Sequence, residues 1–242
     1  MRPAQAVALA RKSFPQQMRA PLFSGRELGH ETTVVDRRGD GTALVKDKNG
    51  KRMLLVASQP LEAKDEQGKL APVDLSLERT ADGIAPVNSR VPFVVDPSSA
   101  AKVRFTGMGM GMQLAGAQDQ SGKQRTSAIA RTAQLADDRV FFANVHSDTD
   151  AGIVPLPNGS ELFLVARSQR APERFSLAFD LPAGATLRRA VSDTPVPAGL
   201  PRSIEIVKDG KTLAHVSAPI AHDADGRGVP ASNEHRRPRR RS

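Results

Sequence analysis

At 242 residues and a net charge of +9, the chain is long enough for one large or two modest domains and basic enough to suggest a polyanionic partner. Val, Ile, Leu and Phe number 55, only a little above the roughly 20% of a chain below which disorder becomes the default, so the core is thin. Cys, Trp and Tyr are absent, which excludes disulfides, thiolate chemistry, Cys-ligated zinc and most base-stacking platforms for specific nucleic-acid recognition.

The basic character lies at the ends. Arg2, Arg11, Lys12, Arg19 and Arg26 stand in an acid-free leader, and Arg236, Arg237, Arg239, Arg240 and Arg241 close the chain. Without those ten residues, 25 basic side chains face 26 acidic ones. Residues 1–23 read as a disordered or weakly helical leader, with about two helical turns expected over 4–12 and two more over 127–135. AVALA is too short an apolar stretch for a signal-peptide core or a membrane span. The Arg-rich tail, 231–242, reads as a disordered segment able to hold polyanions non-specifically.

Between the ends, turn motifs punctuate the chain: RGDG at 38–41, DKNG at 47–50, DEQG at 65–68, ADG at 81–83, PNG at 157–159, PAG at 182–184, KDG at 208–210 and DADG at 223–226. Short apolar runs between such turns predict an all-β protein. A module over 24–114, a small polar linker over 115–127 and a second module over 128–230 predict two β-sandwich-like parts built of antiparallel strands. Lys-Asp-x-x-Gly-Lys occurs at 46–51 and 64–69, with a shorter form at 208–211, and is read as a shared hairpin solution.

The run TGMGMGMQLAG at 106–116 lacks the glycine spacing of a dinucleotide loop and the lysine of a P-loop. It is read as one continuous strand with KVRF. Met108, Met110 and Met112 then share a face, a weak thioether site for Cu(I) at most. Further on, ELFLVAR and FSLAFDL predict a hairpin, and IEIVKDGKTLAHV predicts a sharper one with Asp209-Gly210 in a type I′ turn.

Two acidic clusters are the candidate chemical sites. Asp148 and Asp150 lie near His146, and Asp223 and Asp225 near His222. Either pair could supply part of an oxygen-rich cation site or a carboxylate for acid–base work, although neither completes an EF-hand loop. Asp-rich turns are commonly just turns. No hydrolase motif accompanies them, so the chain is expected to be non-catalytic and without cofactor.

The second half, from DRVFFANVHSDTD to FSLAFDLPAGATLRRA, resembles a segment of actinobacterial secreted or wall-associated proteins of the Rhs/YD-repeat and DNRLRE kind. Val140, Phe142 and Val145 match its first strand; Pro157, Gly159, Val165 and Ser168 match its second. Phe175, Phe179, Leu181, Pro182 and Gly184 match its third. The D-G hairpin with the following APIAHDADG, and AKDEQGKLAPVDLSL in the first half, are similar to further elements, so the likeness spans about residues 40–230. Leu70 and Phe142 stand where that family usually has Trp and Tyr.

The resemblance implies a structural or surface-interaction module, extracellular or wall-associated, with other protein segments or cell-surface components as partners. It also implies that the chain is a piece of a larger repeat protein, and it carries over no active-site residue. Specific nucleic-acid binding and a membrane span are not expected, while weak self-association through sheet edges is. The alternatives are a small hydrolase or carbohydrate-active enzyme using Asp148, Asp150 or Asp223, and a polyanion binder acting through its basic tails.

Overall fold

The computed structural model describes residues 1–15, 18, 32–37, 41–57, 60–65, 67–118, 125–190 and 201–233. It is an all-β protein, with one helix and several antiparallel sheets among the described residues. Two compact units divide at Asp180/Leu181.

The first unit opens with helix α1 (Pro3–Ser13), which starts on a proline at its first turn and buries Ala6, Val7 and Ala10. Strands β1 (Thr32–Arg37), β2 (Thr42–Asp47) and β3 (Arg52–Val56) form a meander over a small cluster of Ala43, Val45 and Leu61. A short pair follows, β4 (Glu62–Lys64) with β5 (Leu70–Pro72). Next come β6 (Asp74–Thr80), β7 (Gly83–Asn88), β8 (Phe93–Val95), β9 (Val103–Phe105), β10 (Met110–Gln118) and β11 (Arg125–Ser127), consecutive neighbours in one sheet.

A four-stranded sheet is built by β12 (Gln134–Ala136), β13 (Arg139–His146), β14 (Thr149–Leu156) and β15 (Gly159–Ala166). The chain then returns to the larger sheet, where β16 (Arg174–Asp180) pairs with β10 along Gly111–Gln118. The two sheets enclose the main core. Ile84, Phe93, Val95, Val103 and Leu114 come from one, and Val140, Phe142, Val145, Ala151 and Ile153 from the other.

The unbroken run VFFA in β13 follows from burial on both faces. Val140 and Phe142 point into the sandwich, whereas Phe141 and Ala143 pack with Ala6, Val7 and Ala10 of α1. A strand covered on both sides loses its polar alternation. The basic leader therefore contributes a docked helix, tied at its end by Arg11 to Asp137 at 2.5 Å.

In the second unit, β17 (Thr186–Arg189), β18 (Ile204–Lys208) and β19 (Lys211–Val216) form a three-stranded sheet, followed by the small pair β20 (Ala221–His222) and β21 (Gly228–Val229). Asp209 and Gly210 have φ of +49° and +74°, and Lys208 faces Lys211. This is the expected two-residue turn, whose twist matches that of the flanking strands.

Several expectations need correction. Residues 127–135 are the end of β11, an extended segment and the start of β12, not a helix. TGMGMGM is a hairpin rather than one strand: Thr106–Gly109 turn, Gly109 takes φ +60°, and Met110 faces Phe105. Met110 and Met112 are buried, and Met112 faces Phe179 of β16. The run from ELFLVAR to FSLAFDL is not a hairpin either, because β15 pairs with β14 while β16 crosses to β10.

Residues 115–118, read as the start of a linker, are the second half of β10, and the division of the chain falls instead after β16. Small residues are needed there for close packing. A Cβ on Gly116 would lie 2.3 Å from the Thr126 carbonyl oxygen of the adjacent β11. Residues 38–40, 119–124 and the arginines of 236–241 lie outside the described residues.

Candidate functional site

Asp148 and Asp150 stand at the turn joining β13 to β14. The turn itself is Ser147–Asp148, with Asp148 in the left-handed region (φ +47°), and Asn144 (φ +58°) takes the same region at the irregularity in β13; both residue types tolerate it. Asp150, the second residue of β14, is fully buried. Its Oδ1 accepts from the Asn144 backbone N–H at 2.7 Å and from the Arg167 guanidinium, which reaches over from just beyond β15. The register of β14 on β15 pairs Thr149 with Ala166, and this delivers Arg167 to the turn.

The network extends outward. Arg167 also donates to Asn144 Oδ1 at 2.9 Å, and its backbone N–H donates to the Asp148 carbonyl at 2.9 Å. Ser168 Oγ donates to Asp148 Oδ2 at 2.6 Å. Arg131 Nε donates to the Asn144 carbonyl at 2.9 Å, and Asn144 Nδ2 to the Met1 carbonyl at 3.0 Å. The positive charge facing Asp150 is thus supplied by the protein itself.

His146 turns elsewhere. Its Nδ1 accepts from the Ser147 N–H at 2.8 Å, so a neutral ring carries its proton on Nε2 and directs it at the Thr126 hydroxyl. Both ring nitrogens are engaged with residues other than Asp148 and Asp150.

Asp223 belongs to a turn that occurs three times. Asp47, Asp65 and Asp223 each accept on Oδ1 from the main-chain N–H two and four residues on. The distances are 2.8 and 2.8 Å to Asn49 and Lys51, 3.0 and 2.8 Å to Gln67 and Lys69, and 3.0 and 2.8 Å to Asp225 and Arg227. In each turn a glycine with φ near +80° (Gly50, Gly68 or Gly226) donates back to the aspartate carbonyl. The recurring D-x-x-G-[K/R] pattern is this Asx-type turn, in which the carboxylate satisfies N–H groups that the tight bend leaves unpaired. Asp225 is exposed and lies 3.9 Å from the Arg227 guanidinium.

Among the described residues, no group of three or more His, Cys, Asp or Glu is placed to hold a metal ion. No helix among them is long and apolar enough to cross a membrane.

A second charged cluster escaped the sequence reading. Arg139, at the start of β13, is 1% exposed, and its guanidinium lies 3.1 Å from the carboxylate of Asp138. Burial pushes the Asp138 carboxyl above its ordinary value of 3.8, against the opposing pull of Arg139. The ADDR sequence reads as an ordinary solvated turn, and nothing in it marks Asp138 and Arg139 for burial. Arg167 likewise gave no signal beyond its place at the end of an apolar run.

Set against known protein families, curated proteins and solved structures, the chain matches none of them.

Proposed function

We propose that this chain is a non-catalytic structural or surface-interaction module of a secreted or cell-wall-associated bacterial protein. The family resemblance over residues 40–230 supports that setting, and the all-β architecture agrees with it. The observation that carries the non-catalytic reading is the use made of the acidic residues. Asp150 lies buried against Arg167, and Asp223 accepts two N–H groups of its own turn. A hydrolase needs carboxylates free to meet a substrate or a water. The partners implied are other protein segments or cell-surface components, met through strand edges and sheet faces.

Cosedimentation with purified cell walls of the producing bacterium tests this. The chain is expected to pellet with the walls, unchanged by Asp148→Asn or Asp223→Asn, and to release no soluble carbohydrate. Release of wall sugars that either substitution abolishes would overturn the reading.

A further inference from the structure

Strand β16 is hydrogen-bonded to β10 along one edge, and among the described residues no strand pairs with its other edge. An open edge presents a row of backbone donors and acceptors, which proteins usually blunt with lysine, proline or a bulge. RFSLAFD has neither lysine nor proline. The irregularity in its pairing with β10 adds a residue on β10, between Leu114 and Gly116, and leaves β16 regular.

The strand is also complementary to itself. Laid antiparallel against a second copy with Leu177 opposite Leu177, it sets Phe175 opposite Phe179, Ser176 opposite Ala178 and Arg174 opposite Asp180. Each of these three pairs then occurs twice, and the Leu177 pair lies once on the axis. Arg174 and Asp180 share one face of the strand and are exposed, Asp180 by 64% even with Lys102 3.4 Å away. Phe175, Leu177 and Phe179 share the other face. Leu177 is 40% exposed and both Phe side chains are half-buried, so the second copy would extend an apolar row already begun by Met112 and Leu114. Cross-strand aromatic and opposite-charge pairs are what stabilise such a pairing. A slide of two residues places Arg174 opposite Ala178 and loses both ion pairs, which fixes the register.

We infer that two copies of this chain associate edge to edge through β16, about a two-fold axis at Leu177, joining their larger sheets into one. An isologous contact of this kind closes at the dimer. One seven-residue edge is small for an interface, so the dimer is weak and reversible. Pairing of β16 with β6, at the far end of the same sheet, would instead build an open chain of copies.

Sedimentation velocity on the full chain across a concentration series tests the inference. Wild type is expected to pass from monomer to dimer and no further. Arg174→Asp or Asp180→Arg alone puts like charges opposite at both ends and raises the dissociation constant about tenfold. Mixing the two single variants in equal amounts restores opposite charges at both ends and recovers the dimer, as does the double variant. If a charge variant fails to fold by circular dichroism, Leu177→Lys decides the matter by abolishing the dimer while leaving the monomer's melt intact. A wild type that stays monomeric throughout would overturn the inference. So would larger assemblies, a mixture no better than its components, or a Leu177→Lys chain that still dimerises.

Discussion

Arg167 reaches across from the end of β15 to the carboxylate of Asp150, and the two side chains are 7% and 0% exposed. Nothing in their sequence neighbourhoods marks them as partners, since they are 17 positions apart and belong to different turns. The β14–β15 register brings them together, and Asn144 completes the contact from the β13 bulge.

A buried pair of this kind is costly to break and cheap to replace. Arg167→Ala leaves the Asp150 carboxylate buried without its countercharge and is expected to destabilise the chain by about 3–5 kcal/mol, read by urea unfolding. The double variant Arg167→Leu, Asp150→Leu should recover most of that loss. Equal loss in both would mean that the pair does more than balance charge.

Asp138 gives the first unit a pH dependence of defined sign. Its folded-state pKa is raised by burial, so the folded chain holds that proton more tightly than the unfolded chain does. The contribution is fully present below the ordinary carboxylate value of 3.8 and is lost as pH rises through the raised one. Asp138→Asn imitates the protonated form. It should be more stable than wild type at neutral pH, with the difference vanishing below about pH 4, in urea melts at the two pH values.

The repeated aspartate turn predicts a graded series. Asp223→Ala removes the acceptor of two backbone N–H groups and should cost about 1 kcal/mol, because the turn is exposed and water replaces part of the loss. Asp223→Asn, which keeps an acceptor oxygen, should cost less. Asp47→Ala should behave like Asp223→Ala. Adding calcium or a chelator should leave the wild-type melting temperature unmoved, and a rise of several degrees with calcium would return Asp223 and Asp225 to the status of cation ligands.

Gly116 is a test of close strand approach. A methyl group there would sit 2.3 Å from a backbone carbonyl, which cannot rotate away as a side chain could. Gly116→Ala should destabilise by about 1–3 kcal/mol in a thermal or urea melt. Tolerance of the alanine would show that β11 can move off β10.

Local chemistry was legible and long-range pairing was not. Asp209-Gly210 announced its hairpin because only residues tolerant of positive φ fit a type I′ turn, and the D-x-x-G pattern announced its bends in the same way. The all-β class followed from the spacing of those turns. FSLAFDL announced a strand but not its partner, because alternation says which side chains share a face and not which strand lies alongside, and Leu177 on the expected buried face is 40% exposed. The Gly-Met run misled because its glycines fit a strand by periodicity, while one of them, Gly109, supplies the bend of a hairpin. AGAQ looked like a linker because close strand packing selects the same small residues that flexible segments do. At the candidate site, the aspartates were visible from the start, but their arginine and asparagine partners come from elements that only the fold brings together.

The most direct test of the proposed role is the native size and location of the polypeptide, by immunoblotting cell, wall and medium fractions of the producing organism. The account predicts the signal in wall or medium, on a species larger than the 25.9 kDa of this chain. A stable species of that mass confined to the cytosol would contradict it.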